Sequence, residues 1–400
     1  MSSFNIFKLK DNPFSAIPPG QERTVIWAGR ATIKREVEGI IENAFISSPS
    51  RINIFWGEWG TGKTHTMKYF SQRGILDSIS QKLNNKKGYP ITIVCPKNMV
   101  LESLYVSILS GVDLEVLRKI IIKIARKNEA MTDQTTQINR IKKYVISDTY
   151  AKIFFALIQG DQKTREMAER YIFLDASGSD IKKIGVPRRI QTNIEKIDLL
   201  SQILRLLICN ESDYNHLFLW IDEMEYIENL LGKDLTELRS FLRGLIDSVP
   251  NGLTITLLGT LKGTDELNSF LEYLGQAIRD RVFRPLEYPF LDIEDAKIYV
   301  TNLLNNLVYR DSQDIVELQK KEMVYYPFTE TCITTIFRKL SENLKRSPTP
   351  RNINDTLSSV LEYYSREPAK MKELSTFTRL IAEEYINTNW KFLKMGVKLL

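Results

Sequence analysis

Eight residues, Gly57-Glu-Trp-Gly-Thr-Gly-Lys-Thr64, constrain this chain more than any other stretch. They match the spacing G-x-x-x-x-G-K-[ST] in full and stand between a short apolar run, Arg51 to Trp56, and a segment of helical character from Lys63 to Phe70. The glycines let successive backbone N–H groups wrap an anion, and the start of the helix adds a favourable dipole. Lys63 is placed to reach the β and γ oxygens of a bound nucleotide, and Thr64 offers a hydroxyl to Mg²⁺. Glu58, Trp59, Gly60, Thr61, Gly62 and the following His65 complete the residues expected around the phosphates. A chance glycine-rich turn is the plain alternative, and the strand-to-helix setting argues against it.

Other buried-type runs fall at Ile91 to Val94, Leu217 to Ile221 and Leu253 to Leu258, with a fifth strand expected over Arg284 to Phe290. Helical stretches separate them, which predicts an α/β fold: a parallel five-stranded sheet covered on both faces, with ligands at the carboxyl ends of its strands. The gap between the second and third strands far exceeds one crossover helix. Helical periodicity at Leu114 to Ala125, Ile138 to Ile158 and Ile194 to Cys209 fills most of it, and Asp175 to Gly185 has the composition of a loop. Arg30 to Phe45 reads as a helix preceding the first strand. The segment around Asn12-Pro13-Phe14 and Pro18-Pro19-Gly20 reads as loop. After Asp292 the pattern is helical, with Ile293 to Leu307, Thr329 to Leu344, Asn352 to Tyr364 and Leu374 to Trp390 as candidates. The expected division is therefore 1–50 as a segment bordering the nucleotide, 51–110 with 201–290 as the α/β core, 111–200 as a helical insertion, and 291–400 as a helical lid with a C-terminal helix.

Charge sharpens the view of that insertion. The chain of 400 residues carries a net charge of +6. Residues 115 to 200 hold 17 Lys and Arg against 11 Asp and Glu, which accounts for the whole excess. Lys142-Lys143, Lys182-Lys183 and Arg188-Arg189 could line a phosphate-binding strip, with Tyr144 and Tyr171 for stacking; a solvated basic surface is the plain alternative. Cys95, Cys209 and Cys332 lie far apart and, with only His65 and His216 to join them, form no disulfide or zinc pattern. Two histidines also leave little material for a Ser-His-Asp or Cys-His catalytic pair. No run is long enough to span a bilayer and Met1 to Asp11 lacks a leader pattern, so a cytoplasmic location without membrane partners is expected. Ile386 to Leu400, with Trp390, Lys391, Phe392, Lys394 and Lys398, could form an amphipathic interface helix, although packing on the lid is the simpler reading.

Leu217-Phe-Leu-Trp-Ile-Asp222-Glu223 is an apolar strand ending in two carboxylates. Such a pair suits one acid that anchors Mg²⁺, Asp222, and one that polarises an attacking water, Glu223. Glu225 and Glu228 read as a solvated helix face. With the glycine loop as Walker A and Leu217 to Glu223 as Walker B, the chain resembles the AAA+ P-loop ATPases. That resemblance implies a three-layer P-loop NTPase fold, ATP and Mg²⁺ as cofactors, and ATP hydrolysis. It implies further roles: Thr260 in Leu257-Leu-Gly-Thr260 as the polar sensor after the fourth strand, and Arg281 in Ile278-Arg279-Asp-Arg281-Val-Phe-Arg284 as an arginine reaching a neighbouring subunit. Arg279 and Arg284 are the other candidates for that arginine, and a surface salt bridge with Asp280 is the plain alternative.

Arg351 in Thr349-Pro-Arg351-Asn resembles the sensor 2 arginine that opens a lid helix, with Pro350 suited to a first turn. Asn12-Pro-Phe14 and Ile26-Trp-Ala-Gly29-Arg30 resemble the segment that borders the adenine in the initiator branch, which places Arg30 near the nucleotide. Together with Tyr326-Pro-Phe-Thr, these residues are similar to those of origin-recognition, transposon-regulator and related prokaryotic ATPases over about residues 12 to 365. The resemblance implies an ATP-driven, self-assembling switch that acts with DNA or a DNA-acting protein. The alternative is a signalling ATPase of a prokaryotic antiviral defence system that controls a separate effector protein. Initiators end in a winged-helix DNA-binding domain; the short stretch after the sensor 2 helix leads us to expect none here.

Overall fold

The computed structural model describes residues 3–15, 25–47, 49–84, 87–96, 101–126, 133–230, 232–366, 376–378 and 381–388. Pro18 to Gly20, and Trp390, Lys391, Phe392, Lys394 and Lys398 of the C-terminal segment, lie outside the described residues. The chain divides into two compact units, one made of Met1–Glu36, Glu58–His65 and Tyr288–Leu400, the other of Val37–Gly57 and Thr66–Glu287.

The second unit is built on a five-stranded parallel sheet, as expected. Its strands are β1 (Arg51–Gly57), β2 (Lys87–Val94), β3 (Tyr214–Asp222), β4 (Leu253–Thr260) and β5 (Val282–Glu287), in the order β2-β3-β4-β1-β5. Every residue of β1 is buried, because it is paired on both sides and covered on both faces. The edge strands β2 and β5 each carry a proline, Pro90 and Pro285, and only an edge tolerates a residue that cannot donate to the ladder. The expected strand over Arg284 to Phe290 therefore starts two residues earlier, at Val282, with a register shift against β1 between Ile52 and Asn53.

Helices follow the chain as α1 (Ala31–Ile46), α2 (Lys63–Phe70), α3 (Arg73–Lys82), α4 (Leu101–Ser110), α5 (Leu114–Arg126), α6 (Gln134–Lys142), α7 (Asp148–Leu157), α8 (Gln162–Ile172), α9 (Gly178–Ile184) and α10 (Asn193–Leu207). After β3 come α11 (Gly232–Ser248), α12 (Thr264–Leu274), the single turn α13 (Gln276–Arg279), α14 (Ile293–Leu304), α15 (Ser312–Lys320), α16 (Glu330–Leu344) and α17 (Pro350–Ser365). The single helix expected over Ile138 to Ile158 is two, because Ser147 caps a fresh helix by accepting from the Thr149 N–H, and Asp148 follows in its first turn. Asp175 to Gly185 is not a loop either. Ser177 and Asp180 form a reciprocal capping box and Gly185, at φ 75°, closes α9 in the left-handed conformation.

The region 111–200 shares one hydrophobic core with the sheet. Leu117, Ile120 and Ile124 of α5, Ile153 and Phe154 of α7, and Leu199, Leu200 and Ile203 of α10 belong to the same buried cluster as Ile52, Ile91, Leu219 and Ile255. α10 connects them, packing on β3 as well as on α4, α5 and α11. The first unit has a separate core in which Phe7 and Phe14 join Val300 and Leu304 of α14, Ile333 and Ile336 of α16, and Leu357 and Leu361 of α17. Among the described residues no helix is long and apolar enough to cross a membrane.

Candidate functional site

The glycine loop leaves the carboxyl end of β1 and enters α2. Gly57, Gly60 and Gly62 hold φ values of 151°, 81° and 104°, conformations that an L side chain rarely adopts. A Cβ added at Gly62 would meet no described atom within 4 Å, so the backbone there is bare to an approaching group. Lys63 is buried and its ammonium donates to the Glu58 carbonyl at 3.0 Å, inside the loop's own curve. The Thr61 hydroxyl donates to the same carbonyl at 2.7 Å. This is a backbone curve with a cation held inside it, an arrangement suited to a polyphosphate.

Arg30 and Arg351, singled out in the sequence, meet the loop in the same unit. Arg30 donates to the Thr61 carbonyl at 2.6 Å and to the Pro289 carbonyl. Burial pulls its guanidinium below the ordinary value, yet an arginine remains charged. Its neighbour Gly29, at φ 58°, lies where a Cβ would press on Tyr299 of α14 at 3.1 Å. His65 contacts the Ile26 carbonyl through Nε2 at 2.7 Å, so the segment 26–30 is tied to the glycine loop at Thr61 and to the residue just after it. Arg351 sits with its guanidinium carbon 3.6 Å from the centroid of the Trp59 ring.

The acidic residues gather in the other unit, with Gly57. Asp222 ends β3, and its Oδ1 accepts from the Glu223 N–H at 2.9 Å. Glu223 stands at φ 59°, ψ 35°, a left-handed backbone that costs on the order of 1–2 kcal/mol for a residue with a side chain. A 3₁₀ turn, Met224–Asn229, follows. Thr260 ends β4 directly beside Gly57 in the β1–β4 register, and the Leu261 N–H donates to the Gly57 carbonyl at 3.2 Å. Glu225, expected on a solvated face, is instead half-buried, its carboxylate accepting from the Thr260 N–H at 3.1 Å. Only Glu228 is exposed as expected. Cys95, beside Asp222 at the end of β2, is pushed up to about 12 by burial and then by the charges of Glu225 and Glu223, so it is an inert thiol at neutral pH.

No family model matches the chain, and no curated protein matches it. Among solved structures it is similar to the Aeropyrum pernix ORC2 protein in its ADPNP–ADP complexes, at 12% identity and a TM-score of 0.52 over 95% of this chain and 72% of that one. The two chains share a fold. Looser similarities are to the Aeropyrum pernix ORC1 protein in complex with DNA, with TM-score 0.46 and 12% identity over 92% of this chain and 67% of that one. Domain III of the Thermotoga maritima replication initiation protein DnaA aligns with TM-score 0.36 and 12% identity over 91% of this chain and 93% of that one.

In this fold the remaining residues are placed as follows. Arg281 immediately precedes β5 at the amino edge of the sheet, where its carbonyl accepts from the Ile52 N–H. Gly57 lies at the other end of β1, roughly 20 Å away for a strand of this length. The Arg281 guanidinium pairs with Asp247 of α11 at 2.8 Å, not with Asp280, and donates to the Ala277 carbonyl. Arg279 and Arg284 are exposed. In the basic region, Tyr171 is buried with its hydroxyl on the Arg188 carbonyl at 2.9 Å, so it offers no stacking face, against one of the two readings of that region. Tyr144 donates to Glu211. Several of the basic residues are paired: Arg118 with Glu115 and Glu169, Lys142 with Asp148, Arg170 with Asp180, Arg188 with Glu195.

Proposed function

We propose that this chain binds and hydrolyses ATP with Mg²⁺, and that nucleotide state controls its assembly with copies of itself and its action on DNA or a DNA-acting partner. The observation that carries the reading is the phosphate loop itself, with three glycines in positive-φ conformations and a buried lysine turned into the curve. Bound nucleotide would supply the scissile phosphoanhydride. Lys63 and the loop N–H groups neutralise phosphate charge, Glu223 orients the attacking water, Thr260 contributes a hydroxyl beside Gly57, and Arg351 adds a cation. Thr64 and Asp222 are the hard oxygen donors proposed for Mg²⁺. Among the described residues no group of three or more His, Cys, Asp or Glu side chains could hold a metal ion, which fits a cation that relies on phosphate oxygens and water for most of its shell.

What supports self-assembly is the place of Arg281 at the end of β1 opposite Gly57, so that a catalytic role for it would draw on a neighbour. Exposed Lys143, Lys182, Lys183 and Arg189 support contact with nucleic acid. The ion pairs across the same region favour a second reading, a switch that controls a separate effector protein without DNA. Nucleotide titration and phosphate release decide the primary claim. Lys63→Ala should abolish nucleotide binding, while Glu223→Gln should retain binding and lose at least about a hundredfold in turnover. Turnover unaltered in both variants would remove the ATPase reading. DNA that raises turnover, with a steep loss between low and physiological salt, selects the DNA-linked reading; no response at low salt selects the effector reading.

A further inference from the structure

Two of the variable positions of the phosphate loop carry large side chains, and each is engaged by an arginine, one just before α17 and one in its first turn. Glu58 pairs with Arg346 at 3.5 Å, and the Arg346 guanidinium lies 4.7 Å from the Phe290 ring. Trp59 lies under Arg351 at 3.6 Å, well inside the range of cation–π attraction. Between them the backbones nearly touch. A Cβ at Gly60 would fall 2.9 Å from both Arg351 Cβ and Thr349 Oγ1, and the Gly60 carbonyl accepts from the Arg351 N–H at 3.4 Å.

That last bond answers a need of the helix. Pro350, first in α17, has no N–H; Thr349 accepts from Asn352; the Arg351 N–H, without an intrahelical partner, finds the loop carbonyl. The start of α17 is thus fixed to the loop through the main chain, and the freedom left to Arg351 is that of its long side chain. Asp355, one turn on, faces the guanidinium at a loose 3.9 Å. The flat contact with Trp59 is what sets its direction. Neither partner serves the core: the indole is 56% exposed and the arginine side chain 51%. A large apolar ring held half in water on a phosphate-binding loop calls for a role at the ligand rather than in folding.

We propose that Trp59 is a positioning residue for Arg351: its indole face holds the guanidinium over the phosphate loop in a preordered direction, so that the site favours ATP over ADP. This rests on the reading that the loop binds ATP. Preordering lowers the entropy lost when the arginine meets a third phosphate and leaves the binding of two phosphates to the loop and Lys63.

The test is the ratio of ATP to ADP affinity in the full chain, measured by calorimetry for the wild type, Trp59→Phe, Trp59→Ala, Arg351→Ala and the double variant. Trp59→Ala should weaken ATP roughly three- to tenfold with ADP unchanged, and Trp59→Phe, which keeps an aromatic face, should fall between. Once Arg351 is alanine, removing Trp59 should change nothing further. Equal losses for ATP and ADP in Trp59→Ala, or a further loss of ATP affinity in the double variant beyond Arg351→Ala, would overturn the role of Trp59 alone. A wild type that binds neither nucleotide would overturn the ATP reading and this inference with it. Trp59→Phe, whose melting point should match the wild type, keeps the comparison open should Trp59→Ala fold poorly.

Discussion

Glu223 keeps a left-handed backbone between a buried strand and a 3₁₀ turn, and that one unusual residue turns the chain so that Glu225 faces the end of β4. That β3 ends at Asp222, with Glu223 next, was legible because an apolar run ending in two acids is a local pattern. Glu225 was not, because its partner is a main-chain N–H 35 residues away, which no helical spacing reveals. His216 shows the same limit: read only as an isolated histidine, it is buried with Nε2 2.8 Å from the Thr254 hydroxyl and its ring against Phe45 and Phe218. Burial, and then the charge of Arg51, pulls it down to about 3 from its ordinary 6.5. The unfolded chain therefore takes up a proton below pH 6.5 that the native state refuses until about pH 3, so His216 makes stability fall with falling pH across that window. Its share of the slope is at most about 1.4 kcal/mol per pH unit. Urea unfolding at pH 7 and pH 5 should show a smaller loss for His216→Gln than for the wild type.

At the scale of elements, the strongest agreement is where periodicity and caps coincide. α5, α10, α14, α16 and α17 begin within two residues of expectation, and α17 announces itself through Thr349, Pro350 and Asn352. α9 was hidden because a seven-residue helix is too short to display a period, although its capping box was present in Ser177 and Asp180. Capping has a measurable consequence. Thr349→Ala should remove about 1 kcal/mol of stability, seen in thermal or denaturant unfolding, and loosen the start of the helix that bears Arg351. The 3₁₀ turn after β3 offers a second test. Glu225→Ala should lower turnover about tenfold while nucleotide affinity holds, since it releases the Thr260 N–H without touching the loop; Glu225→Gln, still able to accept, should retain most of the rate.

For the whole molecule, the five-stranded sheet was foreseeable from strands alternating with helices, while which helices share a core depends on contacts far apart in the chain. The placement of Arg281 across the sheet from Gly57 leads to a prediction about assemblies. Arg281→Ala should cut turnover at least about tenfold, and mixing it with Lys63→Ala, which keeps Arg281 but lacks the loop lysine, should recover part of the loss if the two variants assemble together. No recovery over a range of ratios would count against an arginine supplied by a neighbour.

The shared core of the sheet and residues 111–200 also has a practical consequence. A segment inserted as an independent module can be excised, or clipped out by a protease, and leave its host intact. Here, removal of α5 to α9 would leave Tyr105 of α4 without the Ile172 carbonyl and bare the face of α10 that packs on α5, so a deletion chain should be recovered as aggregate and limited digestion should release no stable fragment. Whatever this region recognises, it folds as part of the body of the protein.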